Sequence, residues 1–195
     1  MELRTFLVRQ YRYNAALHRH MLDQVTGDLT PDELNWQARP GHHSIWHNVW
    51  HMFLSNDYYF ADAMQVPAVW EEGNWRERID LTPMARVFDY PGNAAGGPVP
   101  RFVIADVPDE LVDELKAPSL AAYLEYVDAM LARTTEVLEG ATEEQLKRRV
   151  QNYDIVPPAP AHVVATGFSH VARHIGMIED IRGLMRGPGL GTASL

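Results

Sequence analysis

The stretch GFSHVARHIGMIEDIRGL, residues 167–184, decides the fold because its apolar residues recur every three or four positions, as on one face of an α-helix. His170 and His174 lie four positions apart within it. Residues four apart on a helix are rotated by only about 40° around the axis, so both imidazoles project to the same side. Two imidazoles in this arrangement can bind one metal ion from a single rigid element.

A second stretch, SIWHNVWHMF at residues 44–53, repeats this spacing with His47 and His51. A second helix can supply further ligands across a bundle interior, and because the chain has no cysteine, a transition-metal site must use nitrogen and oxygen ligands. His51 lies a full turn inside the predicted helix and is the expected third ligand. His47 stands where a capping box usually has Glu or Gln, so three interpretations are open: a fourth ligand, a partner of the helix start, or an exposed polar residue.

Apolar spacing and stop signals predict four long helices, over residues 2–26, 44–65, 119–139 and 161–186. We therefore expect an all-α fold, an antiparallel four-helix bundle that forms a single domain over residues 1–195. Gly176 lies inside the last helix at a cost of about 1 kcal/mol relative to alanine, which predicts close approach of another helix there. On the first helix, His18 and His20 lie two positions apart and should face different sides.

The segment between the second and third helices, residues 67–117, is predicted to be a long irregular connection. It contains the sequence PGNAAGGPVP, which cannot form a regular helix, and a short acidic helix is expected at 108–116. Loops of this length in a compact domain are often functional, so the connection is interpreted as a lid over the site. The glycine-rich tail at 187–195 is expected to be frayed.

A weak internal repeat divides the chain into two halves. Each half has a long helix, a T-x-x-E/Q-L turn, a proline-containing break and a histidine-bearing helix; the two turns begin at Thr30 and Thr142. This pattern predicts two helical hairpins related by a pseudo-twofold. Each hairpin would bring one histidine pair towards the centre of the bundle.

The composition disfavours several classes of protein. The chain has 195 residues and a net charge of −9, with 46% hydrophobic and 22% charged residues, which is ordinary for a soluble domain. An acidic surface repels phosphate backbones, so nucleic-acid binding is not expected. The first residues carry charges throughout and no apolar run approaches 18 residues, so we expect no signal peptide, no membrane span and a cytoplasmic location.

Two short motifs resemble those of a known family. The first is S-I-x5-H in the second predicted helix, and the second is H-x3-H-x-G-x-I followed by Arg-Gly in the fourth. They are carried by Ser44, Ile45, His51, His170, His174, Gly176, Ile178, Arg182 and Gly183. Both are similar to motifs of the DinB-like, or YfiT-like, metalloenzyme superfamily, and the four-helix order fits over most of the chain.

The resemblance implies a four-helix bundle with a three-histidine metal site at His51, His170 and His174. It also implies a divalent ion, most often zinc or nickel with iron or manganese as further options, and frequently a homodimer. Relatives include transferases and isomerases that use the low-molecular-weight thiols bacillithiol, mycothiol or glutathione. The connection at 67–117 is longer and richer in glycine than in a minimal member, so no particular substrate carries over.

Three histidines leave coordination positions open for water or substrate, as in catalytic zinc sites. We therefore predict a metal-dependent enzyme acting on a small molecule, in which a bound thiol or water becomes reactive. The resemblance implies that it is a thiol-dependent transferase or isomerase, and a hydrolase is a variant. Asp57, Asp128 and Glu179 are candidates for orienting the imidazoles and are equally compatible with ordinary surface positions. The alternatives are a non-catalytic metal- or ligand-binding dimeric bundle, in which His47 closes the coordination, and a structural bundle with core histidines.

Overall fold

The computed structural model describes residues 2–88, 109–149 and 165–187 of the chain. Within these ranges the regular structure is helical and no strand is formed. Ten α-helices are present there: α1 Leu3–Thr26, α2 Pro31–Leu34, α3 Ile45–Met64, α4 Val69–Glu72, α5 Trp75–Arg78, α6 Ala85–Phe88, α7 Asp109–Val112, α8 Leu120–Gly140, α9 Glu143–Lys147 and α10 Val171–Arg186. A 3-10 turn, Thr82–Met84, precedes α6, and a π-helical turn, Ala165–His170, leads directly into α10.

The four long helices, α1, α3, α8 and α10, pack together and confirm the predicted all-α four-helix bundle. Each has two main neighbours, since α1 and α3 both lie against α8 and α10. Asn48 near the start of α3 lies beside His174, and Asn56 further along α3 lies beside His170. Residue numbers therefore increase in opposite directions along α3 and α10, and this antiparallel pair brings the predicted site residues together.

The long connection after α3 sets the direction of α8. The Tyr123 hydroxyl donates a hydrogen bond to the Trp50 carbonyl at 2.8 Å, and the Tyr126 hydroxyl donates to the Asp57 carboxylate at 2.9 Å. Residue numbers increase together along this pair, so α3 and α8 are parallel. The chain thus returns to the end where α3 began before it starts α8, and the bundle combines antiparallel and parallel neighbours.

Helix α3 is the central helix of the bundle, with 18 of its 20 residues buried. It begins at the predicted cap, where Ser44 Oγ accepts a hydrogen bond from the His47 backbone N–H at 3.1 Å. Trp46 and Trp50 pack with Tyr123 at ring-centroid distances of 5.0 and 5.4 Å, within the range of favourable aromatic pairs. A helix buried on all sides keeps its polar side chains from bulk water, so each needs a partner within the protein.

The two capped turns of the predicted internal repeat are present in the fold, but the predicted helical hairpins are wrong, because α1 and α3 pack mainly against α8 and α10 rather than against each other. The turns that form α2 and α9 both begin with a capping box. Each turn also contacts the C-terminal end of the histidine-bearing helix in the other half. The Gln145 amide donates to the Met64 carbonyl at the end of α3 at 2.9 Å, and the Glu33 carboxylate accepts from Arg186 at the end of α10 at 2.8 Å. The two halves are therefore joined by reciprocal contacts at both ends of the bundle.

The connection between α3 and α8 is more regular than predicted. In place of an irregular loop, its described parts form α4, α5, α6 and a 3-10 turn, and the short acidic helix predicted at 108–116 is present as α7. The Asp57 carboxylate accepts hydrogen bonds from the backbone N–H groups of Val69 and Trp70 at 2.9 and 2.8 Å, which caps the start of α4. The sequence PGNAAGGPVP, the predicted first turn of the fourth helix and most of the tail lie outside the described residues, so the lid stays a prediction.

Positions on α1 and α10 test which side chains face the interior. His18 is 3% exposed whereas His20 is exposed, so these two residues face different sides of α1, as predicted. The expectation that another helix approaches Gly176 is wrong, because a Cβ at this position would meet no atom within 4 Å. Gly176 lies on the exposed side of α10. Among the described helices, none has the length and apolar character that crossing a membrane requires.

Candidate metal centre

Three of the four predicted histidines meet between α3 and α10. The Nε2 atom of His170 lies 3.1 Å from the Nε2 atoms of both His51 and His174. One potential ligand nitrogen from each ring lies within 4.8 Å of the other two. His51 and His174 are buried and His170 is half-buried. Two helices that are distant in sequence thus bring three imidazoles to one point at the edge of the core.

Two asparagines of α3 orient the imidazoles of His170, at the end of the π-helical turn, and of His174, on α10. The Asn48 amide donates from Nδ2 to the Ser44 carbonyl at 2.9 Å, which turns its Oδ1 towards His174 Nδ1 at 2.8 Å. Asn56 Oδ1 lies 3.2 Å from His170 Nδ1. An amide oxygen only accepts hydrogen bonds, so each ring carries its proton on Nδ1 and leaves Nε2 as a bare acceptor. Outer partners of this kind fix both the tautomer and the direction of metal-binding histidines.

The resulting arrangement is suited to a cation. Two bare Nε2 acceptors 3.1 Å apart repel each other unless a positive charge lies between them. A proton does not fill this role at neutral pH, because burial, followed by neighbouring cationic groups, lowers the pKa of His174 to about 3 and that of His170 to about 4. A tetrahedral ion with metal–nitrogen bonds of about 2.0–2.1 Å has ligand nitrogens about 3.3 Å apart. The residues present therefore fit a three-histidine metal site.

Comparison with known protein families agrees with this geometry. A family model described as the DinB superfamily matches residues 15–178, which include all of α3, the three clustered histidines and the first half of α10. The chain belongs to the DinB superfamily. The resemblance predicted from the two motifs is thereby confirmed. No curated protein matches the chain.

The fourth predicted histidine, His47, lies outside the three-histidine cluster of this DinB superfamily member. Its ring stacks on His43 at a centroid distance of 3.7 Å, and its Nδ1 atom is buried without a hydrogen-bond partner among the described residues. The helix start uses the backbone N–H of His47, whereas its ring closes no capping box. With the residue 3% exposed, the exposed polar interpretation is wrong. The role of fourth ligand stays a prediction.

The side chains that hold the His170 and His174 imidazoles differ from Asp57 and Asp128, two of the three acids that the sequence suggested, and the role of Glu179 stays a prediction. Asp128 pairs with Arg19 at the surface at 2.7 Å, and Asp57 accepts hydrogen bonds from the start of α4 and from α8. Burial raises the pKa of Asp57, and its three hydrogen bonds oppose that shift. Sequence reasoning missed Asn48 and Asn56, although their position on an otherwise apolar, histidine-bearing helix was an available signal.

The buried histidines predict how stability depends on pH. Burial lowers the pKa of His18 and His170 to about 4, that of His174 to about 3 and that of His47 to about 2. In the unfolded chain these groups take up protons near pH 6.5. The metal-free protein should therefore lose stability as the pH falls from about 6.5 towards 4, by about 1.4 kcal/mol per pH unit for each such histidine.

Urea denaturation in the presence of a chelator, at pH 7 and at pH 5, measures this dependence. The His47→Leu variant is a matched control because it removes one of the four groups. The slope of its free energy of unfolding against pH should be smaller than that of the unmodified protein, and the difference between the two slopes should be about 1.4 kcal/mol per pH unit. Equal free energies of unfolding for the unmodified protein at the two pH values would contradict the prediction.

Proposed function

We propose that this member of the DinB superfamily is a metal-dependent enzyme that acts on a small molecule, as a transferase or isomerase that uses a low-molecular-weight thiol. The observation that carries the proposal is the convergence of His51, His170 and His174 with their Nε2 atoms facing one another. Three protein ligands are fewer than a divalent ion takes up, so positions remain for a substrate. The thiol is proposed from the family resemblance.

In this proposal the residues of the chain hold and orient the reacting groups. Asn48 and Asn56 keep two imidazoles in the tautomer that presents Nε2, and burial keeps both rings neutral. A divalent ion, when bound, acts as a Lewis acid and lowers the pKa of a thiol or water at its open positions. Imidazole ligands suit zinc and nickel, the metals we propose, and iron or manganese are alternatives.

A chloroalkyl fluorogenic electrophile makes thiol transfer measurable. The thiol sulfur forms a bond to the electrophilic carbon, chloride departs with the electron pair of the broken carbon–chlorine bond, and the thiol proton passes to the buffer. The assay compares zinc- and nickel-loaded protein, chelated protein and the His51→Ala variant, each with bacillithiol, mycothiol and glutathione. Calorimetric titration of the same thiols tests binding for an isomerase, which would not use this electrophile.

We expect one thiol to bind and to react faster than without protein, with both effects lost on chelation and in His51→Ala. Stoichiometric metal binding with neither thiol binding nor turnover would contradict the proposed enzymatic activity. It would favour the alternative, a non-catalytic metal-binding bundle. Absence of metal binding would favour a bundle with structural histidines. The homodimer implied by the resemblance stays a prediction.

A further inference from the structure

The π-helical turn that ends at His170 is held against α1 by two contacts. The His18 ring forms a hydrogen bond with the Gly167 backbone and lies 5.8 Å, centroid to centroid, from the Phe168 ring. This hydrogen bond favours the protonated ring, as expected when an imidazole N–H donates to a carbonyl. A Cβ at Gly167 would lie 3.4 Å from the Tyr11 ring, so the turn and α1 are in direct contact.

His18 has no part in the three-histidine cluster, yet it is 3% exposed. A buried imidazole is costly unless its polar atoms find partners, and the Gly167 backbone supplies one. The turn also benefits, because a change from α to π hydrogen bonding disturbs the regular pairing of backbone carbonyls and an outside donor can satisfy one of them. Single π turns are rare and occur frequently at functional sites.

We propose that His18 is a positioning residue for the metal centre. His18 holds the Gly167 carbonyl and thereby sets where His170 projects. His170 is the last residue of the turn, and its Nε2 is the atom that lies 3.1 Å from both other Nε2 atoms. A shift of the turn along α1 therefore displaces His170 Nε2, the atom that lies next to the Nε2 atoms of both His51 and His174. The inference rests on the proposed metal site and requires no contact between His18 and the ion.

The test removes or keeps the donor at position 18. His18→Phe and His18→Met lack the N–H, His18→Gln keeps one, and His20→Phe is the matched control because His20 is exposed two positions along the same helix. Two quantities are measured: Co²⁺ affinity with its visible absorption spectrum, and amide hydrogen exchange at residues 165–171 in the metal-free protein. The second measurement is independent of any metal.

We expect His18→Phe and His18→Met to bind Co²⁺ about 10–100-fold more weakly, with an altered spectrum and faster exchange in the turn, as for loss of an outer partner of a metal ligand. His18→Gln should restore most of the affinity, and His20→Phe should match the unmodified protein. Unchanged Co²⁺ affinity and spectrum in the donor-free variants would overturn the positioning role, even if thermal stability fell.

Failure of the metal site itself gives a different result. If the unmodified protein binds no Co²⁺, the proposed function is contradicted together with the role of His18 towards an ion. The exchange rates then decide the remaining claim. Equal exchange at residues 165–171 in His18→Phe and His20→Phe would show that His18 does not hold the turn.

Discussion

Replacing His174 with alanine should remove stoichiometric metal binding. Protein purified without a histidine tag should contain about one divalent ion per chain, and the His174→Ala variant should contain none after gel filtration. The substitution removes one of three imidazoles whose Nε2 atoms lie close together. We expect the loss of affinity to exceed the ~10–100-fold effect of losing an outer partner. Elemental analysis and competition with a chromophoric chelator measure content and affinity.

Two further variants give this experiment a graded scale. Asn48→Ala keeps the His174 ring but removes the oxygen that holds its Nδ1–H, so affinity should fall by about 10–100-fold. His20→Ala removes an exposed histidine of α1 and should leave binding unchanged. If the unmodified protein contains no metal, and none of the variants alters the binding of added zinc or nickel, both the proposed metal site and the proposed enzymatic activity are wrong.

Replacing Asp57 with alanine should destabilise the fold by about 3–5 kcal/mol, whether or not metal is bound. The carboxylate accepts hydrogen bonds from the backbone N–H groups of Val69 and Trp70 and from the Tyr126 hydroxyl. Its loss leaves three donors without an acceptor in the interior, at about 1–3 kcal/mol each. Burial raises the pKa of Asp57, so the carboxylate is itself costly to bury. Removing this cost offsets part of the loss, so the expected total lies towards the lower end of the sum over the three donors.

A control for this prediction lies on the same helix. Asp62 is half-exposed, and Asp62→Ala should change the free energy of unfolding by less than about 0.5 kcal/mol. Asp57→Asn keeps one acceptor oxygen and should lie between the two. Urea denaturation at pH 7 with a chelator ranks the three variants. A loss in Asp57→Ala no larger than in Asp62→Ala would show that the buried hydrogen bonds do not stabilise α4.

The long helices and the gathering of three histidines could be predicted because both depend on local spacing. An apolar stripe and an imidazole pair four residues apart occupy one side of a helix, so burying the stripe of α10 turns His174 inward, and His170, the last residue of the π-helical turn before α10, reaches the same side. The same reasoning applies to His51 on α3. For His47 it is insufficient, because that ring is buried next to His43 and apart from the cluster.

The features that were missed or wrongly predicted depend on contacts between distant residues. The short helix α4 begins where the Asp57 carboxylate on α3 accepts hydrogen bonds from its first backbone N–H groups. No local sequence pattern indicates that Asp57 caps this helix. The position of Asn48 and Asn56 on an apolar helix indicates that they are buried, but which side chains they contact depends on the segment that lies opposite, which includes His170 and His174. Gly176 is an exception, because its spacing from Val171, Ile175 and Ile178 already places it away from the buried stripe of α10.

The contacts between the two halves of the chain lead us to expect that the three-histidine cluster forms late in folding. The helices α2 and α9 each contact the histidine-bearing helix of the opposite half, and the meeting residues His51 and His170 are 119 positions apart. Contacts between residues so distant in sequence carry the entropic cost of closing the intervening chain. A divalent ion would therefore stabilise only the fully docked protein and contribute nothing to the earlier steps.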